Sequence, residues 1–229
     1  MNSTKKLARL IGFLYLLLSV AGIYGLLYVP SLLIVHGDAA TTAKNILSSE
    51  TLYRSGIVAD LIGQGLFMFV VLGLYSLLKG VDKMLALQML IFAVVQIPLI
   101  YSAEVHHLAA LTILKGNGSA AAFSESQRIA QMKVALDAYD NGTSVTEIFM
   151  GLWLFPLAAL IYRSNFLPRF LGILLVPAGS AYFVESVTWL LLPGYGHVVS
   201  RFSSPLRAVE LVIPLWLLIM GAKDQPLAE

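Results

Sequence analysis

The stretch Leu10-Ile-Gly-Phe-Leu-Tyr15-Leu-Leu-Leu-Ser-Val20-Ala-Gly-Ile-Tyr-Gly25-Leu-Leu-Tyr-Val29 decides the fold. It runs for roughly 20 residues without Asp, Glu, Lys, Arg or His, enough helix to cross a hydrocarbon core about 30 Å thick. Lys5, Lys6 and Arg9 precede it and Pro30 follows it. A secretory signal has a shorter apolar region and a small-x-small cleavage site, and Gly25-Leu-Leu-Tyr-Val-Pro30 offers no such site. The stretch therefore reads as an uncleaved first transmembrane helix. Pro30 should close it, because proline cannot continue the hydrogen-bond ladder.

The rest of the chain has the same character. Of 229 residues, 58% are hydrophobic and only 12% charged, with a mean hydropathy of +0.81. Soluble domains carry about 25% charged residues, so the deficit points to a multi-pass membrane protein. There is no cysteine, which excludes disulfides, thiolate metal sites and cysteine nucleophiles. A net charge of +2 gives no reason to expect nucleic acid as a partner. The partner implied is the lipid bilayer. Asn-x-Ser/Thr patterns at Asn2, Asn117 and Asn141 would carry meaning only in a host that glycosylates them, and none if the host is bacterial.

Six apolar segments follow from hydropathy: 7–29, 55–79, 83–114, 144–163, 169–192 and 205–222. Together they predict an all-α, six-transmembrane-helix bundle forming a single integral membrane domain. Lys79-Gly-Val-Asp-Lys83 and Arg163-Ser-Asn-Phe-Leu-Pro-Arg169 are tight polar turns. Between spans one and two, Asp38 can cap a short helix reaching about Leu47, and Ser49 can cap the next. Lys115-Gly-Asn-Gly-Ser is a loop, and Ser124 with Gln127 forms a capping-box pattern. Ile129, Met132, Leu136 and Tyr139 then recur at helical spacing, predicting a short amphipathic helix resting on the membrane surface before span four. Asn141-Gly142 should break it. No internal repeat is visible.

With both termini cytoplasmic, the inner side holds Lys5, Lys6, Arg9, Lys79, Lys83, Arg163, Arg169 and Lys223, on short loops. Its acids are Asp82, Asp224 and Glu229. The outer side holds Lys44, Arg54, Lys115, Arg128, Lys133, Arg201 and Arg207, together with the ten remaining acids. The inner side is thus net positive and the outer net negative, which sets the orientation by the positive-inside rule.

Seven acids lie in or beside the apolar helices: Asp60, Glu104, Asp137, Asp140, Glu147, Glu185 and Glu210. An ionised carboxylate in hydrocarbon is costly, so each must be paired, line a wet cavity or do work. At helical rise all fall toward the outer face, predicting a polar cup that opens outward. Gln96, Ile100, Glu104 and His107 share one side of span three, and Asp60 and Gln64 are four apart on span two. Glu147 and Gly151 share a face of span four, where glycine admits another backbone or a ligand. Arg207 and Glu210 are three apart on span six and could pair. The expected ligand-binding cavity is therefore Asp60, Gln64, Gln96, Glu104, His107, Glu147, Glu185, Arg207 and Glu210.

Two other readings use the same side chains. Glu104-Val-His-His107 is a Glu-x-x-His spacing that places two ligands on one helical face. With Glu147, Glu185 and Glu210 it would suit a divalent Zn, Fe or Mn ion. Alternatively, Glu185 and Glu210 are held in ion pairs by Arg201, Arg207 or Arg54, while Asp137 and Asp140 form the wet face of the surface helix. His106 should face the headgroups, and His36 and His197 should be solvated in outer loops. There is no Gly-x-Ser-x-Gly, His-Glu-x-x-His or phosphate loop. Tyr28, Tyr53, Trp189 and Tyr195 toward the outside, and Tyr75 and Tyr162 toward the inside, read as interfacial belts.

Several segments resemble one bacterial membrane family. They are Ala8–Tyr15, Gly37-Asp-Ala-Ala40, Asn45-Ile-Leu, Leu52–Asp60, Leu136–Gly142, Leu160–Leu175 and Leu191-Leu-Pro-Gly-Tyr195, spread over nearly the whole chain. The family is uncharacterised and is known as domain of unknown function 4386. The resemblance implies a multi-pass protein of the bacterial inner membrane and brings no reaction or catalytic residues. Asp60, Asp137 and Asp140 fall within the matching segments, whereas Glu104-Val-His-His107 does not. The function expected from these features is binding or transport of a small polar or cationic molecule, or a lipid headgroup. A metal-dependent enzyme acting on a lipid-like substrate and a non-catalytic assembly or sensor subunit are the alternatives.

Overall fold

The computed structural model describes residues 3–223; Asn2, Asp224 and Glu229, used above, lie outside the described residues. The fold is 88% helical, with no strand among the described residues. In chain order the helices are α1 (Ser3–Gly22), a π-helical stretch (Ile23–Tyr28), α2 (Val29–Leu33), α3 (Ala39–Ser48), α4 (Glu50–Leu78) and α5 (Lys83–Leu114). They continue with α6 (Glu125–Leu152), α7 (Leu154–Arg163), α8 (Arg169–Leu191), α9 (Gly196–Ala208) and α10 (Val212–Ile219). Six helical runs are long and apolar enough to cross a membrane: 4–33, 50–78, 83–114, 125–163, 169–191 and 193–219. Large apolar side chains such as Phe69, Ile91, Ile173 and Ile219 stay exposed along them. In water such a surface would aggregate; against lipid tails it is at home.

Local signals set most helix ends. Asp38 caps α3 by accepting from the Thr41 N–H at 2.9 Å and the Thr41 hydroxyl at 2.6 Å. Asp82 accepts from the N–H groups of Met84 and Leu85 at the start of α5. Arg163 also donates to Asp82, at 3.2 Å. Ser124 and Gln127 close the expected capping box before α6, with the Ser124 N–H donating to the Gln127 side chain at 2.9 Å and the Gln127 N–H to the Ser124 hydroxyl at 3.4 Å.

Three boundaries depart from expectation. Pro30 does not end the first span, which continues to Leu33. The turn before it widens, so that the Val29 N–H reaches back five residues to the Tyr24 carbonyl, and the wider turn makes room for the proline ring. Asn141-Gly142 does not break the fourth helix either, for α6 runs unbroken from the amphipathic segment into the span. Gly142 instead serves close packing: a Cβ there would lie 3.3 Å from that of Ala103. The break falls at Trp153, four residues after Phe149 and just ahead of Pro156, whose missing N–H cannot bond to Leu152. The sixth run begins before residue 205, and it passes through a 3-10 turn at Val209–Leu211.

The chain divides into two compact units. Described residues 3–19, 65–98 and 144–223 form the first; 20–64 and 99–143 form the second. In the first, Ile11, Leu74, Leu78, Met89, Leu154, Leu157, Leu160 and Leu171 build the core. There α6 and α8 approach so closely that a Cβ on Gly151 would sit 2.6 Å from the Gly179 carbonyl oxygen. The second unit packs Leu33, Ile46, Tyr53, Leu111, Met132 and Leu136.

Candidate functional site

The nine residues expected to line one cavity divide between the units. Asp60, Gln64, Glu104 and His107 belong to the second; Gln96, Glu147, Glu185, Arg207 and Glu210 belong to the first.

In the first unit each of Glu147, Glu185 and Glu210 has a protein partner, although Glu147 Oε2 is left without a hydrogen bond. The Arg207 Nη1 donates to Glu147 Oε1 at 2.9 Å and lies 3.2 Å from Glu185 Oε2. Glu185 also accepts from the hydroxyls of Ser200 and Ser203. The guanidinium stands 5.2 Å above the Tyr182 ring. The expected Arg207–Glu210 pair does not form. Two carboxylates on α6 and α8 take up the guanidinium, and Glu210 accepts instead from the hydroxyls of Tyr15 and Tyr182. Gln96 is buried, with its amide nitrogen unpartnered. This is a network in which Glu147 and Glu185 neutralise one arginine, as the ion-pair reading expected for Glu185.

The second unit holds a different arrangement. Asp60 on α4 and Glu104 on α5 are buried, 4% and 3% exposed, and their carboxyl groups are close enough to act on one another. The Asp60 side chain also bonds to Gln64, one turn along α4. Glu104 Oε2 lies 3.1 Å from His107 Nδ1, as the three-residue spacing allows. The imidazole stacks on Tyr139 of α6, centroids 3.8 Å apart and planes 21° from parallel. The Tyr139 hydroxyl is directed toward Glu104 and Thr143, and the Tyr53 hydroxyl donates to the His107 carbonyl at 3.2 Å. Tyr53 and Tyr139 are thus part of the site, although the sequence suggested an interfacial belt for one and an apolar stripe for the other. The one available signal was a hydroxyl within the otherwise apolar row Ile129, Met132, Leu136, Tyr139.

The π-helical stretch packs beside this cluster. A Cβ on Gly25 would lie 2.9 Å from the Gly56 carbonyl oxygen and 3.6 Å from the Asp60 Cβ. Only glycine lets the two backbones approach this closely.

A cavity of about 450 Å³ opens next to the cluster, with His36, Asp38, His107, Lys133, Tyr139 and Asp140 among its walls. A smaller cavity, about 20 Å³, is lined by Tyr53, Glu104 and His107, and shares Gly25, Pro30, Ile34 and His107 with the larger one. His36 is exposed as expected, yet it forms part of the larger wall. His197 lies on α9 rather than in a loop, with its ring edge-on to Trp189 at 5.1 Å. Bonds from the Thr41 hydroxyl and N–H hold the Asp38 carboxyl below the usual carboxylate range. The Lys133 ammonium is engaged by Asp137 on the same helix. Among the described residues no group of three or more His, Asp and Glu side chains is placed to hold a metal ion. The five-residue set Glu104, His107, Glu147, Glu185 and Glu210 is therefore not gathered as a ligand sphere.

The sequence profile of domain of unknown function 4386 matches residues 10–221. The chain belongs to this family. An uncharacterised protein of Archaeoglobus fulgidus is 25% identical over 167 residues, covering 69% of this chain and 83% of that relative. No solved structure matches.

Proposed function

We propose that this member of the family binds a small cation, inorganic or organic, in the 450 Å³ cavity of the second unit and serves its uptake or sensing. The observation that carries the reading is the composition of the cavity wall. Asp38 and Asp140 line it with Lys133 as the one lysine or arginine among the lining residues, and that lysine is shared between Asp137 and Asp140. The wall thus favours positive charge. Leu26, Pro30, Ile34, Val35 and Leu136 supply the apolar remainder, the mixture expected of a small-molecule site. A lipid headgroup bearing an ammonium group has the same chemistry.

The proposed setting is the bacterial inner membrane, with both termini cytoplasmic and the cavity open to the outside. Glu147, Glu185, Arg207 and Glu210 then hold the first unit together and contact no ligand.

The test is thermal unfolding in detergent with sodium, potassium, choline and spermidine salts at constant ionic strength. A true ligand at a hundred times its Kd should stabilise the protein by about 2.7 kcal/mol. The gain should vanish in the Asp140→Asn/His36→Ala double variant and persist in Glu210→Gln. If no cation raises the Tm, or the double variant responds like the parent, the cavity is not a cation site.

A further inference from the structure

Asp60 and Glu104 are an unusual pair of neighbours. Both sit within membrane-spanning helices, both are buried, and their carboxyl groups act on each other. Two ionised carboxylates side by side in hydrocarbon repel one another, so without a cation beside them the pair holds a proton on one. The described ion pairs of the second unit are Arg54–Glu50, Lys115–Glu50, Lys133–Asp137 and Glu104–His107. No lysine or arginine therefore pairs with either acid. The facing groups are Tyr53 on α4, His107 on α5, and Tyr139 and Asp140 on α6; the π-helical stretch brings only the backbone of Gly25. One oxygen, Asp60 Oδ2, is buried without any hydrogen-bond partner. A buried acceptor of this kind is normally satisfied; Glu147 Oε2 of the first unit is also open, but Arg207 already neutralises that carboxylate, whereas no lysine or arginine pairs with Asp60.

We propose that Asp60 and Glu104 form a proton–cation exchange site, in which a small alkali cation arriving past His107 displaces the proton held between the two carboxyl groups. This rests on the reading of the larger cavity as a cation site. The exchange balances: a carboxylic acid beside a carboxylate takes up one monovalent cation and releases one proton, leaving two carboxylates bridged by the cation. The net charge is −1 before and after, so no charge is added to the interior of the membrane. Carboxylate oxygens and the Tyr139 hydroxyl are hard donors suited to an alkali ion. His107 lines both cavities and approaches the Glu104 carboxylate, linking the large cavity to it. The widened turn at Gly25 is in keeping with such a role, since π-helical insertions concentrate at functional sites.

The experiment uses the full chain in detergent, weakly buffered, with a pH indicator in solution. Sodium or lithium chloride is added, and choline chloride serves as the control of equal ionic strength. Release of one proton per chain is expected with an alkali salt and none with choline. Asp60→Asn and Glu104→Gln should abolish the release while eluting as the parent does on size exclusion. Infrared spectra of the parent alone give a second readout that needs no variant. A carboxylic acid C=O band should be present at neutral pH and fall on addition of sodium at fixed pH. Absence of that band, or proton release that survives in Asp60→Asn, overturns the proposal. If choline or spermidine still raises the Tm of a parent that releases no proton, exchange fails while the cation cavity stands. If neither response is seen, both fail.

Discussion

His107 lies face to face with Tyr139, ring centroids 3.8 Å apart, while its Nδ1 is 3.1 Å from the Glu104 carboxylate. Two helices thereby lock one imidazole, and the tyrosine hydroxyl is directed toward the same glutamate and toward Thr143. Tyr139→Phe keeps the stacking and removes one hydrogen bond, so it should cost about 1 kcal/mol of stability. Tyr139→Leu also loses the ring pair, worth roughly 0.5–1.5 kcal/mol more. Unfolding in a denaturing detergent titration would resolve the two steps. Equal losses for both variants would show that the stacking contributes nothing.

Arg207 joins Glu147 and Glu185 in the first unit. Its replacement by Gln leaves two carboxylates facing each other without a cation. The expected loss is about 3–5 kcal/mol, with part recovered in the triple variant Arg207→Gln/Glu147→Gln/Glu185→Gln. The same titration checks this, and a triple variant no more stable than the single would remove the electrostatic explanation.

Gly25 meets Gly56 where the first span passes Asp60. Gly25→Ala places a methyl group against a backbone carbonyl that cannot swing aside, so the helices must separate. A destabilisation of about 1–3 kcal/mol is expected from overpacking. Gly22→Ala, three residues earlier and with nothing within 4 Å, is the control that should be neutral or slightly stabilising. Comparable losses at both positions would point to helix propensity rather than the contact.

Asp38 gives a pH signature outside the membrane spans. Its carboxyl sits below the ordinary value of 3.8 in the folded protein. The cap is therefore at full strength above that value and is lost as pH falls through the lower, folded one. Amide exchange at the start of α3 should accelerate in this acid window. In Asp38→Asn, which caps without titrating, exchange should show no such acid step. An identical step in the variant would assign it to another group.

Orientation can be read directly because the chain has no cysteine. With both termini cytoplasmic, Asn117→Cys should react with a membrane-impermeant maleimide on intact cells, and Lys79→Cys only after lysis. The opposite pattern would invert the positive-inside assignment.

The sequence by itself determined the all-helical, six-span architecture and most of its punctuation. Hydrocarbon leaves the backbone no other partner than its own ladder, so long apolar runs announce helices. The caps at Asp38 and Ser124 are local and equally legible, since their donors lie within a few residues. Proline and glycine were less so. Pro30 was absorbed by a widened turn, and Gly142 was used for packing against Ala103, because whether such a residue stops a helix depends on what packs beside it. The burial of Asp60 and Glu104 was legible as a surplus of acids in apolar helices. Their partners were not. Only the tertiary structure decided that Arg207 turns to Glu147 and Glu185 rather than to Glu210, and that Tyr139 meets His107. It alone separated the nine expected residues between two units. Side-chain pairing across helices depends on their rotation and crossing, and helical periodicity within a single span leaves both free.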